Sequence, residues 1–174
     1  MYGIVSLLPE PYQSEASRRM QRALEFGAEP ARLPAHLSFH VAAAYPLEET
    51  RAALQEIAAH TAPLTVHTGG WGVFPGPQPV VFIALAKNEA LVTLHQRIWQ
   101  RLAPWVPDPH PLYALDAWVP HITIACEGLT PASASRMLAS LAFEPLQWHF
   151  ELPDLTVLCN DPPPVRLRVP LNTI

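Results

Sequence analysis

The sequence predicts an α+β fold built of two similar lobes. Three observations carry that prediction. The order strand, helix, strand, helix, strand runs twice along the 174 residues. The strands that open the two halves begin at Tyr2 and Val80, 78 positions apart. At the third element the letters agree as well: His36-Leu37-Ser38-Phe39 is matched by His121-Ile122-Thr123-Ile124, 85 positions further on. A duplication of this kind divides a single domain into approximate lobes 1–78 and 79–174. A pseudo-twofold axis would then set the equivalent strands side by side.

Each element has its own signal. Tyr2 to Leu8 is an apolar run closed by Pro9 and reads as a buried strand. Glu10 to Phe26 repeats apolar or small residues at near-helical spacing, Tyr12, Ala16, Met20, Ala23 and Leu24. After a connection from Gly27 to Pro34, the β-prone run Ala35 to Ala43 carries the first histidine motif. Leu47 to His60 is helical, with Leu54, Ile57 and Ala58 on one face and acids in its first turn. Leu64 to Phe74 is extended and bent at Gly69-Gly70, and Pro75 to Pro79 is a turn. The pattern then restarts with the strand Val80 to Ala86. Asn88 follows as an N-cap for a helix that aligns Leu91, Leu94, Ile98 and Leu102. Pro104 to Trp118 is a proline-rich connection, and Val119 to Cys126 is the strand of the second motif. Thr130-Pro131 starts a helix with Ala134, Met137, Leu138 and Leu141 inward. Gln147 to Leu158 is one long strand or two short ones. In Val165 to Pro170, Leu167 and Val169 alternate against Arg166 and Arg168.

Composition narrows the function. Hydrophobic residues make up 49% and charged residues 15%, a balance that excludes a disordered chain. No charge-free apolar stretch is long enough to span a membrane. The opening Met1-Tyr2-Gly3-Ile4-Val5 has no basic region and does not read as a signal peptide. Cys126 and Cys159 are too few for a disulfide framework and fit no zinc spacing. The expected location is the cytoplasm. Net charge is −4 and Lys87 is the single lysine, so no wide footprint for a long nucleic acid exists. The 21 prolines fall between periodic segments and mark element boundaries. The length suffices for a chain that stands as a monomer.

The two histidine motifs carry the chemistry. Side chains alternate along a strand, so His36 and Ser38 share one face while Leu37 and Phe39 point to the core. The same alternation pairs His121 with Thr123. Two such strands brought together offer two imidazoles and two hydroxyls. One imidazole, neutral near pH 7, acts as a base and the other, protonated, as an acid. The hydroxyls donate to phosphate oxygens whose charge grows in the transition state. That set suits phosphoester cleavage without a metal or other cofactor.

On these motifs the chain resembles the 2H phosphoesterase superfamily, in its 2′-5′ RNA ligase-like branch. The resemblance extends over nearly the whole chain, including Trp71-Gly72-Val73-Phe74-Pro75-Gly76, the strand from Val80 to Leu85, and Pro120 before the second motif. It implies two antiparallel-sheet lobes with helices outside and a central cleft that carries both motifs. It further implies hydrolysis of cyclic phosphodiesters, of the 2′,3′-cyclic nucleotide or RNA-end type, with 2′-5′ ligation as the same step reversed. Matched residue by residue, His36 and His121 are the catalytic pair, and Ser38 and Thr123 bind the substrate phosphate. Which histidine is acid and which is base stays open. The chain departs from the pattern at Ala125-Cys126-Glu127, where many relatives carry a basic residue. That favours a small cyclic-phosphate nucleotide or a short RNA end. It also supports the alternative of a non-catalytic nucleotide-binding module of the same fold.

Further residues are candidates for lining the cleft. His40 lies two steps beyond Ser38, and Trp71 and Phe74 sit in a bend where an aromatic ring can stack on a base. Arg166 and Arg168, on one face of the last strand, can supply charge to a phosphate. Tyr2 can reach the cleft floor from the first strand. Cys126, on the strand face opposite His121, reads as core. His60, His67, His95, His110 and His149 read as surface or structural residues. No carboxylate accompanies His36, His40 and His121 at close spacing, which argues against a metal site.

Overall fold

The elements follow in the order β1 (Tyr2–Leu7), α1 (Tyr12–Ala23), β2 (His36–Ala42), α2 (Leu47–Ala59), β3 (Leu64–Phe74), β4 (Val80–Leu85), α3 (Glu89–Leu102), β5 (His121–Ala125), α4 (Pro131–Leu141), β6 (His149–Leu152), β7 (Asp154–Cys159) and β8 (Val165–Pro170). They are taken from a computed structural model that describes residues 1–172. Short 3₁₀ turns at Leu24–Phe26 and Pro111–Tyr113 lie in the connections that lead into β2 and β5. Local chemistry sets the helix starts. The Asn88 side chain accepts from the Leu91 N–H at 2.8 Å, and Thr130 caps α4 reciprocally with Ser133.

The strands form two antiparallel sheets, β2-β1-β7-β8 and β5-β4-β3-β6. The region from Gln147 to Leu158 resolves into two strands, and Pro153 marks the point at which the chain leaves one sheet for the other. The sheets therefore are not the two sequence halves. The expected boundary at residue 78 falls inside the β3–β4 hairpin, and β7 and β8 return to pair beside β1. Pairing across long sequence separations decides this, and periodicity carries no record of it.

Helices cross between the lobes. The helix that follows β1 packs on β5, and the helix that follows β4 packs on β2. Each motif strand is thus backed by the other lobe's helix. The core runs through both sheets without a break, from Ile4, Leu37 and Phe39 to Ile83, Leu91, Ile98 and Ile122, all fully buried. Such a core gives neither lobe a buried interior of its own. At the sheet edges, β2 and β5 lie against one another and bring the two motifs together.

Both motif strands carry a bulge at the same place. Val5 pairs with Ser38, but Ile4 pairs with His40, so Phe39 is the extra residue. Phe82 pairs with Thr123, but Val81 pairs with Ala125, so Ile124 is the extra residue. A bulge inserts one residue and inverts the facing of the later residues relative to the partner strand.

Candidate active site

His36 and His121 are held identically. The Nδ1 of His36 lies 2.7 Å from the Pro34 carbonyl, and the Nδ1 of His121 lies 2.7 Å from the Val119 carbonyl. A carbonyl accepts only, so each Nδ1 carries a proton and each Nε2 is the ring nitrogen left for chemistry. Burial lowers both pKa values below the usual histidine range. For His36 the charge of His121 adds to that effect, and the Pro34 carbonyl opposes it. For His121 the Val119 carbonyl opposes it. Ser38 is buried beside His36, and Thr123 is half-buried beside His121.

The surroundings differ. Phe74 meets His121 edge-on at 4.9 Å between ring centroids, and Phe82 lies 5.1 Å from it. These two phenyl rings stack on each other at 4.2 Å. Gly72 permits this arrangement, because a Cβ there would come within 2.3 Å of the Phe82 ring. Tyr113 completes the enclosure at 6.5 Å from His121. Its hydroxyl adjoins Ser38. Burial raises the Tyr113 pKa, and the Ser38 hydroxyl pulls it back. By contrast, His36 borders two cavities. One, of about 260 Å³, is shared with Thr123, Leu33 and the loop after β5. The other, of about 150 Å³, is shared with Ser38, Val5, Tyr113 and Asn160.

Several expected cleft residues lie elsewhere. His40 is a correction: it is 1% exposed and faces the core. The Phe39 bulge pairs it with Ile4, so it packs on Trp99 at 4.7 Å and bonds Tyr45 through Nδ1 at 2.6 Å. Trp71 is a second correction, because strand alternation sets it opposite Phe74. It pairs with Ile83 and packs on the core. Arg166 and Arg168 do not act as a pair. The β7–β8 register shift leaves Arg166 unpaired: Arg168 pairs with Thr156 and bonds Asp154 at 2.7 Å, while the Arg166 Nε lies 2.9 Å from the Cys159 sulfur. Cys126 is exposed, since β5 ends one residue before it. Phe74 stands beside His121, and Tyr2 borders the smaller cavity next to His36 and Ser38. Among the described residues, no group of three or more His, Cys, Asp or Glu side chains is placed to hold a metal ion. No helix among them is long and apolar enough to cross a membrane.

Sequence reasoning missed a supporting layer beneath the first motif. Trp118 donates through Nε1 to the Ser38 carbonyl at 2.9 Å, and Trp99 donates to the Phe39 carbonyl at 3.0 Å. These are the carbonyls at the bulge. His95 stacks on Trp118 at 4.0 Å, and its Nε2 donates to the Tyr113 carbonyl at 2.9 Å. Tyr113, Trp118 and Trp99 thus tie the proline-rich connection and α3 to β2. Tyr113 and Trp118 gave no signal, because they lie in a connection without periodicity.

A sequence profile of the 2′-5′ RNA ligase superfamily matches residues 9–161. The chain belongs to this superfamily, the 2H phosphoesterases. Membership places it among enzymes of phosphoester chemistry. Solved structures share its fold across almost their full length. The protein TT0787 of Thermus thermophilus superposes with a TM-score of 0.66 at 16% identity, covering 98% of this chain and 97% of its own. A structure described as a phosphoesterase gives 0.64 at 14% identity, covering 99% and 98%. Escherichia coli LigT, solved with 3′-AMP, gives 0.56 at 16% identity, covering 98% and 94%. No curated protein matches the chain in sequence.

Proposed function

We propose that this 2H phosphoesterase hydrolyses cyclic phosphodiesters, of the 2′,3′-cyclic nucleotide or RNA-end type, by acid/base catalysis from His36 and His121. The observation that carries this reading is the identical pinning of two imidazoles through Nδ1 on adjoining edge strands, each with a hydroxyl one pleat away. Ser38 and Thr123 donate to the non-bridging oxygens of the phosphate. Paired imidazoles supply both proton transfers, so the step needs no metal.

Space around the rings supports an assignment of roles. His121, enclosed by Phe74, Phe82 and Tyr113, borders neither cavity and acts as the base. His36 faces the cavities that receive the nucleoside and acts as the acid, protonated in the complex because the phosphodiester anion at its Nε2 offsets the lowering that burial imposes. Water attacks phosphorus and gives its proton to His121 Nε2. The phosphorus–ribose oxygen bond breaks, and His36 Nε2 protonates the departing oxygen. The product is a nucleoside monophosphate, and both imidazoles return to their starting states by proton exchange with water. The reverse, with a ribose hydroxyl in place of water, forms a 2′-5′ linkage.

The test is a panel of cyclic phosphodiesters, assayed in excess EDTA with the wild type and with His36→Ala and His121→Ala. Turnover by the wild type and its loss in both variants, each folded by circular dichroism, is the expected result. Full activity in either variant overturns the reading. Binding without product, seen by calorimetry and chromatography together, supports instead a nucleotide-binding module of the same fold, as Glu127 behind the second motif suggests.

A further inference from the structure

The connections that lead into the two motif strands occupy equivalent places under the pseudo-twofold and do different things. The longer one, before β5, lays Tyr113 beside Ser38. The shorter one, before β2, docks on the loop after β5. There the Glu29 N–H donates to the Glu127 carbonyl at 2.9 Å. Gly128, at φ +82°, makes that contact close, since a Cβ on it would lie 2.4 Å from the Gly27 carbonyl oxygen. The result is the cavity of about 260 Å³ between His36 and Thr123, with Met20, Leu33, Ile124 and Ala125 among its apolar walls. Its volume is small for a ligand pocket and suits one nucleoside. Glu29 and Glu127 border it, and the one cation of its lining, Arg32, stands 3.7 Å from Glu29.

We propose that this cavity is the nucleoside subsite, and that Glu29 and Glu127 restrict the enzyme to cyclic nucleotides that carry no further phosphate. The inference rests on the two-histidine reaction proposed above. A nucleoside whose 2′,3′-cyclic phosphate contacts Thr123 directs its 5′ carbon away from the reacting phosphorus, towards the rim. A 5′ phosphate, or an RNA chain that continues from it, there meets two carboxylates. The same field acts on Cys126, whose thiol is pushed up by partial burial and then by the charges of Glu127 and Glu29, with Arg32 opposing them. Both carboxylates are exposed, so the repulsion is screened by salt.

The experiment compares kcat/KM for adenosine 2′,3′-cyclic phosphate with that for its 5′-phosphorylated form. It uses the full chain and the variant Glu29→Gln/Glu127→Gln, at low and high ionic strength. The wild type is expected to prefer the 5′-hydroxyl substrate by about tenfold at low salt, and the preference narrows as salt rises. In the double variant the preference closes through a gain on the 5′-phosphorylated substrate, and salt dependence is lost. Equal turnover of both substrates by the wild type, or an unchanged ratio in the variant, overturns the proposal. If neither substrate is turned over, the two-histidine reaction fails first. Calorimetry with adenosine 3′-phosphate and adenosine 3′,5′-bisphosphate then decides the subsite by the same ratio and the same variant.

Discussion

His36 and His121 bond to carbonyls two residues upstream at equal distance, and both strands bulge directly after the hydroxyl residue. Three aromatic rings surround the second imidazole, while two cavities open beside the first. Beneath the first motif lie two indoles and a buried histidine, and among the described residues no side chain donates to the carbonyls of the second bulge. The contrast separates two tasks that a duplicated fold first performs twice. Backbone geometry holds the imidazole and is kept in both copies. Open space adjoins the imidazole in one copy, and aromatic rings enclose it in the other.

The largest effect expected breaks this comparison at its centre. Replacing either histidine by Ala lowers kcat on a 2′,3′-cyclic nucleotide by about 10²- to 10⁴-fold. The two variants then part on a substrate with sulfur in place of the departing bridging oxygen, since a thiolate leaves without a proton. That substrate restores much of the lost rate to His36→Ala and little to His121→Ala. Rescue of His121→Ala instead would exchange the roles and detach them from the aromatic enclosure.

Next in size are the hydroxyls. Thr123→Val removes a donor to the phosphate and costs about 10²- to 10³-fold in kcat. Ser38→Ala costs less, about tenfold, because the Tyr113 hydroxyl adjoins the same position. The double variant Ser38→Ala/Tyr113→Phe falls to the level of Thr123→Val, a non-additivity that a mutant cycle reads directly. Equal losses in the two single variants would reduce Tyr113 to a packing residue.

The paired motifs were legible because strand alternation is local: it put His36 with Ser38 and His121 with Thr123 from the letters alone. Alternation also set Trp71 and Phe74, three residues apart, on opposite faces, so the sequence itself argued against both lining the cleft. His40 was a different matter. Its facing depends on a bulge at Phe39 that no sequence marker announces. The lobes were misdivided because β7 and β8 close on β1 from more than 140 residues away, a pairing without local trace. Tyr113 was hidden by the prolines around it, and it is placed by the His95 bond from another helix.

The buried histidines under the first motif make its support sensitive to acid. Burial pushes His40 and His95 down to about 4. Unfolded, each titrates near 6.5, so between about pH 6.5 and pH 4 the unfolded chain binds more protons than the folded one. Stability is complete above pH 6.5 and is lost as pH falls towards 4. The loss is up to about 3 kcal/mol per histidine. Urea denaturation across that window measures it, and His95→Gln should flatten the curve. A curve of unchanged slope would mean that His95 is not neutral in the folded protein.

The smallest effect isolates the indole under the bulge. Trp118 is 1% exposed, and its Nε1–H is the donor to the Ser38 carbonyl. Trp118→Phe keeps an aromatic ring against His95 and Phe39 but leaves that carbonyl buried and unpaired, at a cost of about 1–3 kcal/mol. The same change frees the Ser38 backbone to shift. Activity on a 2′,3′-cyclic nucleotide should therefore fall in kcat with KM little altered, because a displaced donor weakens the transition state more than the ground state. The second motif has no indole to lose, so its partner Thr123 should be as important in Trp118→Phe as in the wild type. Combining Thr123→Val with Trp118→Phe tests that independence. Additive losses place the indole's effect on the first motif alone. A shared loss would mean that the two edge strands move as one unit, and that α3 supports both motifs through the strand it backs.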